Sequence, residues 1–67
     1  MDLSVMSPDG LMSLHKAIVV ALSDDDNLPP GTAKKFGVRE YPDWRRWAAA
    51  LETELARRGV PFTPVDL

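Results

Sequence analysis

The segment from Pro42 to Arg58 carries the strongest structural signal in the sequence, because its start, its apolar face and its end all indicate one α-helix. Proline suits the first helical position, and Gly59 suits the stop, where the backbone often turns left-handed. Apolar residues recur at spacings of three and four, forming a stripe of Trp44, Trp47, Ala48, Leu51 and Leu55. Such a stripe is typical of a helix that buries one side. The sequence therefore predicts an amphipathic helix over residues 42 to 58.

A second helix is predicted over residues 10 to 23. Ser7 is a candidate N-cap and Pro8 suits the first helical position. Apolar side chains cover more than half of this segment's helical surface, as expected when two neighbours contact it. The acidic run that follows opposes the dipole at a helix C-terminus, which predicts an end near Ser23.

The residues between and beyond the two helices are predicted to be short or extended. Residues 28 to 31 read Leu-Pro-Pro-Gly and are predicted to form a rigid connection, and residues 33 to 36 are predicted to form one short helical turn. Residues 1 to 6 are expected to be an N-terminal tail. Two prolines exclude a helix from residues 60 to 67, which predicts an extended C-terminal tail with Val60 and Phe62 folded back on the helices.

Together these segments predict a single all-α domain over residues 1 to 67. Its two main helices run antiparallel and are joined by the linker with its short turn. The predicted core consists of Leu11, Leu14, Ile18, Leu22, Phe36, Trp44, Leu51 and Leu55.

The length of the chain limits how stable this domain is on its own. A chain of 67 residues buries only about 60% of its unfolded surface, so additional stabilisation is expected. The sequence has no cysteine for a disulfide, and its single histidine cannot build a zinc site, which needs three or four ligands. Good packing, self-association or a protein partner remains, and neither metal nor cofactor is expected.

The charge distribution is uneven although the net charge is only −2. Residues 1 to 30 carry one lysine and five aspartates, whereas residues 31 to 67 carry seven Lys or Arg and five acids. The two ends can attract each other within one molecule or between two copies. A start without a basic region and the lack of a long apolar run lead us to expect a cytoplasmic protein without a membrane segment.

Catalytic chemistry is not indicated by the sequence. His15 falls on the apolar face of the first helix, with no nucleophile or carboxylate at a spacing typical of a catalytic site, and is expected to be a hydrogen-bonded histidine at the edge of the core. The run Asp24 to Asn27 lacks the glycine and the distant glutamate of a calcium loop and is expected to be a solvated turn. We therefore expect neither an enzyme nor a small-molecule substrate.

The leading functional hypothesis is a small, non-catalytic protein-interaction module that acts as a homodimer or as an adaptor on a larger assembly. Aromatic and arginine side chains most often dominate such interfaces. The candidate contact residues are Trp47, Arg46, Tyr41, Phe62, His15 and Val20.

The alternative hypothesis is a small nucleic-acid-binding regulator. The segment from Thr32 to Val38, followed by the arginine-rich start of the last helix, resembles a helix-turn-helix in part. Its candidate phosphate contacts are Lys34, Lys35, Arg39, Arg45 and Arg46. Phosphate contacts predict binding that weakens steeply with added salt, whereas an apolar protein interface responds little.

Overall fold

The computed structural model describes residues 2–67, which fold into a helical hairpin. A 3-10 helix at Leu3–Val5 precedes helix α1, Pro8–Asp26, and helix α2, Pro42–Arg57. The two helices pack against each other, and no β-strand occurs between residues 2 and 67. The predicted all-α architecture with two main helices is therefore confirmed.

The predicted helix caps are present at two positions. The Ser7 hydroxyl accepts a hydrogen bond from the Gly10 backbone N–H at 3.0 Å, as an N-cap should. After α2, Gly59 adopts a positive φ of 71°. The Val60 N–H then reaches back to the Leu55 carbonyl at 3.0 Å, and the Val60 side chain packs on the core. Both ends are therefore set by local chemistry that is visible in the sequence.

The C-terminal end of α1 differs from the prediction, because the helix continues past Ser23 to Asp26. Cations from the linker approach the acidic end. The Lys34 ammonium donates to the Asp25 carbonyl at 3.0 Å, and the Arg39 guanidinium donates to both carboxylate oxygens of Asp26 at 3.1 and 3.0 Å. Positive charge at a helix C-terminus is favourable, so these contacts offset the repulsion that the acidic run predicts.

The Asp25 carboxylate organises the linker. Its side chain is 2% exposed, with Oδ1 accepting from the Lys35 and Phe36 N–H groups and Oδ2 from the Val38 N–H, each at 3.0 Å. The short helical turn predicted at residues 33–36 is wrong, because two of its N–H groups point to this carboxylate. The interpretation of Asp25 as part of a solvated turn is also wrong.

Gly37 allows the linker to turn directly into α2. Its φ is +68°, and a Cβ at this position would lie 2.5 Å from the Cε2 atom of the Tyr41 ring. The Gly37 carbonyl accepts from the Tyr41 N–H at 2.9 Å, just before α2 begins. A residue larger than glycine would displace the ring, so the left-handed backbone and the close aromatic contact both require glycine here.

The core lies between the two helices and consists of small and medium-sized side chains. The buried apolar residues are Leu11, Ile18, Ala21, Val38, Ala48, Leu51 and Leu55. Four predicted core residues, Leu11, Ile18, Leu51 and Leu55, are therefore confirmed. Leu14, Leu22 and Trp44 are only partly buried, and Phe36 is 37% exposed. These side chains lie at the margins of the layer formed by the two long helices, where the described chain covers them only in part.

The C-terminal residues 60–67 are extended and cross one face of the hairpin, as predicted. Phe62, Val65 and Leu67 pack against the core from this side. The Val65 N–H donates to Oε2 of Glu52 at 2.7 Å, which attaches the tail to α2.

The N-terminal segment is more ordered than the predicted tail. Met1 lies outside the described residues, but Leu3 and Met6 pack on the core beside the 3-10 helix. The Arg58 guanidinium donates to the carbonyls of Leu3, Ser4 and Met6. Arg58, at the end of α2, therefore fastens the start of the chain to the hairpin.

We expect Asp25→Asn to lower the melting temperature by roughly 10 °C, because an amide nitrogen cannot accept a hydrogen bond and leaves a buried N–H without its partner. Asp24→Asn is the matched control, since Asp24 is the exposed neighbour of Asp25. Thermal unfolding followed by circular dichroism measures both changes. Equal melting temperatures for the two variants would contradict the role assigned to Asp25.

We also expect the protein to lose stability in acid through Asp25. Burial raises the pKa of its carboxyl, but the N–H donors of Val38, Phe36 and Lys35 outweigh burial and hold the pKa below its ordinary value. A depressed folded-state pKa stabilises the fold at higher pH, and this contribution is lost below about pH 4. Melting temperatures measured against pH should fall less steeply in acid for Asp25→Asn than for the parent chain. Parallel curves would disprove this contribution.

Candidate interaction groove

The hairpin has two broad faces, and the extended tail covers one of them. The opposite face carries a groove of about 380 Å³ between α1 and α2. Every residue that lines it is apolar: Leu3, Leu14, Ala17, Ile18, Trp44, Trp47, Ala50 and Leu51. An adjoining depression of about 540 Å³ is lined by Ser13, Lys16, Ala17, Val20, Ala21, Phe36 and Trp44. We call the surface formed by these two sets of residues the open face.

Helical spacing explains why these residues share one side. In α2, Trp47 and Ala50 lie three residues apart, at the edge of the stripe that buries Leu51. In α1, Ser13, Ala17 and Val20 follow at spacings of four and three, which also keeps them on one side of a helix. Ala17 and Ala50 are exposed, and both line regions of the open face. Their small side chains leave a recess between the larger groups.

An aromatic row forms the wall at one end of the open face. Phe36 and Trp44 meet edge to face with ring centroids 6.2 Å apart, and Trp44 meets Trp47 in the same way at 5.7 Å. Edge-to-face pairs of this kind add about 0.5–1.5 kcal/mol beyond the area they bury. Because Asp25 binds the Phe36 N–H, the linker places the first ring of this row.

Two large apolar side chains of the open face remain strongly exposed. Trp47 is 52% exposed and Val20 is 48% exposed. An indole covers about 150–250 Å² when buried, so half of it represents roughly 100 Å². Covering that area would contribute about 2–3 kcal/mol at 25 cal/mol per Å².

The predicted interface residues are divided between the two faces. Trp47 and Val20 line the open face. Arg46 is exposed, lines neither depression and pairs with Asp43 at 3.1 Å. Tyr41 is 63% exposed but lines neither depression.

His15 lies on the other face, where Phe62 of the C-terminal tail covers it. His15 is 4% exposed, its Nε2 donates to Glu52 Oε2 at 2.9 Å, and the Phe62 ring packs on it at 5.6 Å. The tail and α2 surround the imidazole, so the structure brings His15 to the covered face and not to the groove. The expected buried, hydrogen-bonded histidine is what the structure shows. Glu52, its partner from the other helix, was missing from the sequence-based interpretation.

The candidate phosphate contacts are mostly engaged within the chain. Lys34 binds the Asp25 carbonyl, Arg39 binds Asp26, and Arg46 binds Asp43. The Lys35 ammonium lies 5.3 Å from the centroid of the Phe36 ring, and Arg45 is exposed on α2.

The resemblance to a helix-turn-helix does not extend to three dimensions. Residues 32–38 contain no helix, so the first helix of such a motif is absent from the described chain. The attraction expected between the acidic and basic ends occurs within one molecule, through Asp26 and Arg39.

The groove residues that sequence reasoning missed include Ala17, Ala50 and Leu3, the last of which was assigned to the N-terminal tail. The only signal for the two alanines was indirect, in the form of small residues at exposed positions of two helices.

Within residues 2–67, no three histidine or acidic side chains converge as a metal site would need, and neither helix has the length and apolar character for crossing a membrane. Comparison of the chain with family models, curated proteins and solved structures finds no match.

The two tryptophans should differ in their accessibility to a dissolved quencher. We expect iodide to quench Trp47, measured in Trp44→Phe, severalfold more than Trp44, measured in Trp47→Phe, because only Trp47 exposes half of its surface. Stern–Volmer slopes measure the difference, and circular dichroism checks that each variant is folded. Similar slopes would show that the open face is covered in solution.

Proposed function

We propose that this chain is a small, non-catalytic protein-interaction module that binds its partner through the open face. The observation that carries the proposal is the apolar groove between the helices, beside a half-exposed indole. The two helices form a thin layer, and only one side of it is covered by the described residues. A partner that covered the other side would stabilise the layer. Half-exposed aromatic groups next to a recess are typical anchors of protein interfaces.

The shape of the groove favours a helical occupant. It runs between two helices, and its lining is entirely apolar. Binding of an amphipathic helix in such a groove is a common recognition mode, in which apolar side chains spaced by three or four residues enter the recess. The exposed alanines at positions 17 and 50 would let another helix approach closely.

A role without catalysis is supported by the placement of the titratable groups. The single imidazole is buried beneath Phe62 and hydrogen-bonded to Glu52, which leaves it little access to a substrate. The groove itself is lined by apolar residues and offers no acid or base to a bound molecule.

The nucleic-acid alternative has weaker support. Three of its five candidate cations are bound within the chain, and Asp43 and Asp26 offset the charge of two of them. Charges offset in this way release fewer counterions on phosphate binding, so they contribute less affinity.

Two neighbouring valines provide a matched test of the open face. Val20, 48% exposed, lies in it, whereas Val19, 42% exposed, lies outside it. We expect Val20→Glu to weaken association about tenfold or more, because a partner would have to bury the new carboxylate. Val19→Glu should change association by less than about threefold.

The measurements are sedimentation of the chain and capture of partners from a lysate at low and high salt, with melting temperatures checked for both variants. Equal association and equal capture by the Val19→Glu and Val20→Glu chains would contradict a binding role for the open face. Captured nucleic acid that is released by moderate salt would favour the alternative function.

A further inference from the structure

We propose that the occupant of the open face is a second copy of this chain, an assignment that rests on the open face being a protein-binding surface. In this arrangement α2 packs antiparallel on α2 of the second copy, and a two-fold axis passes beside Ala50. The same face then meets itself, as it must in a two-fold symmetric dimer.

The first argument is the order of charges along α2. At about 100° per residue, the side of α2 that carries Ala50 also carries four charged residues within roughly 80°. In chain order these are Asp43, Arg46, Glu54 and Arg57, and they alternate in sign. Reversing the helix about Ala50 sets Asp43 opposite Arg57 and Arg46 opposite Glu54. Both pairings are attractive, whereas a parallel pairing would set each charge against its own copy.

The charged groups needed for the first of these pairings are accessible. The side chain of Asp43 is 64% exposed and that of Arg57 is 63% exposed. Each already has an intramolecular partner on its own helix, namely Arg46 or Glu54, so the second copy would extend a pair into a network. Glu54 is largely buried, which makes Asp43 and Arg57 the pair to test.

The second argument is the position of the small residues. His15 of α1 binds Glu52 of α2 across the hairpin, so these two residues lie at the same level. Ala17 comes two residues after His15 and Ala50 two residues before Glu52. Because the helices are antiparallel, the two alanines also lie at one level. A two-fold axis across both helices would therefore meet an alanine on each. Alanine allows two backbones to approach closely, and Trp47, one turn from Ala50, would extend into the groove of the second copy.

The other two-fold packing of two hairpins is less favourable. It would lay α1 of one copy over α2 of the second. By the same level-by-level alignment, Asp24 would then face Asp43 of the second copy, twice in each dimer. Like charges that face each other repel, so this clash counts against the arrangement in which α1 meets α2.

The available area predicts a weak, reversible dimer. Helix α2 is about 24 Å long, and two helices side by side are roughly 20 Å wide, so the face measures about 400–500 Å² per copy. The total approaches 1,000 Å², at the low end for specific interfaces. The dimer would be a four-helix bundle, in which the side chains of the two open faces form an additional apolar core. We therefore expect dissociation in the micromolar range.

Two complementary charge reversals test the arrangement. Alone, Asp43→Arg sets two arginines against each other in each pairing, and Arg57→Asp sets two aspartates against each other. Each variant should dimerise about tenfold more weakly than the parent chain. Mixed in equal amounts, the two variants form one native pair and one reversed pair, both attractive. The mixed dimer should therefore approach the parent affinity, as measured by sedimentation with one variant labelled.

Rescue by mixing cannot arise from an effect on folding, because each chain keeps its own substitution. Arg45→Asp is the control, since Arg45 lies on the far side of α2 and should leave dimerisation unchanged. A dimer of the parent chain without rescue by mixing would overturn the antiparallel arrangement. If the parent chain stays monomeric at millimolar concentration, the proposal that a second copy occupies the open face is contradicted. If the chain is monomeric but captures another protein, and Val20→Glu abolishes that capture, the proposed function stands without the dimer. If no such capture is seen, both the proposed function and the dimer are contradicted.

Discussion

The buried carboxylate of Asp25 is the interaction on which the rest of the structure depends. Three backbone N–H groups of the linker donate to it at 3.0 Å, and the linker has no regular structure that could satisfy them otherwise. Leaving buried N–H groups unpaired costs more than most single contacts contribute. Asp25 therefore determines where Val38 enters the core, where Phe36 meets Trp44 and where the chain turns into α2.

A second constraint follows from the number of helices. Two helices side by side form one layer with two faces. In the part of the chain that the structure describes, the extended C-terminal residues cover one face, and Leu3 lines the groove of the other. Glu52 fastens this cover, because a single carboxylate oxygen accepts from both His15 and Val65. Within the described residues, the other face keeps a groove and a half-exposed indole. The proposed binding role and the expected low stability of a small domain thus have the same physical origin.

The charged side chains of α2 make different contacts on different sides of the helix. Arg58 reaches back to the first residues, and Glu54 lies beside it with an Nε to Oε2 distance of 3.6 Å. On the side of α2 that carries Ala50, the charges alternate in sign along Asp43, Arg46, Glu54 and Arg57 and form two ion pairs within the helix. The proposed antiparallel pairing of two copies rests on this order. One helix therefore carries the charges that attach the N-terminal segment and those on which the proposed dimer rests.

The sequence by itself determined the local structure. Pro42 and Gly59 bounded α2, Ser7 capped α1, and the apolar spacing identified which helix faces turn inward, since these preferences act over a few residues. Only the tertiary structure decided what depends on distant partners: the burial of Asp25 beneath a linker ten or more residues away, the pairing of His15 with Glu52, and the face left uncovered. A repulsive run of acids looks solvated until the donors that neutralise it are placed, and an apolar stripe does not reveal how many neighbours will cover it.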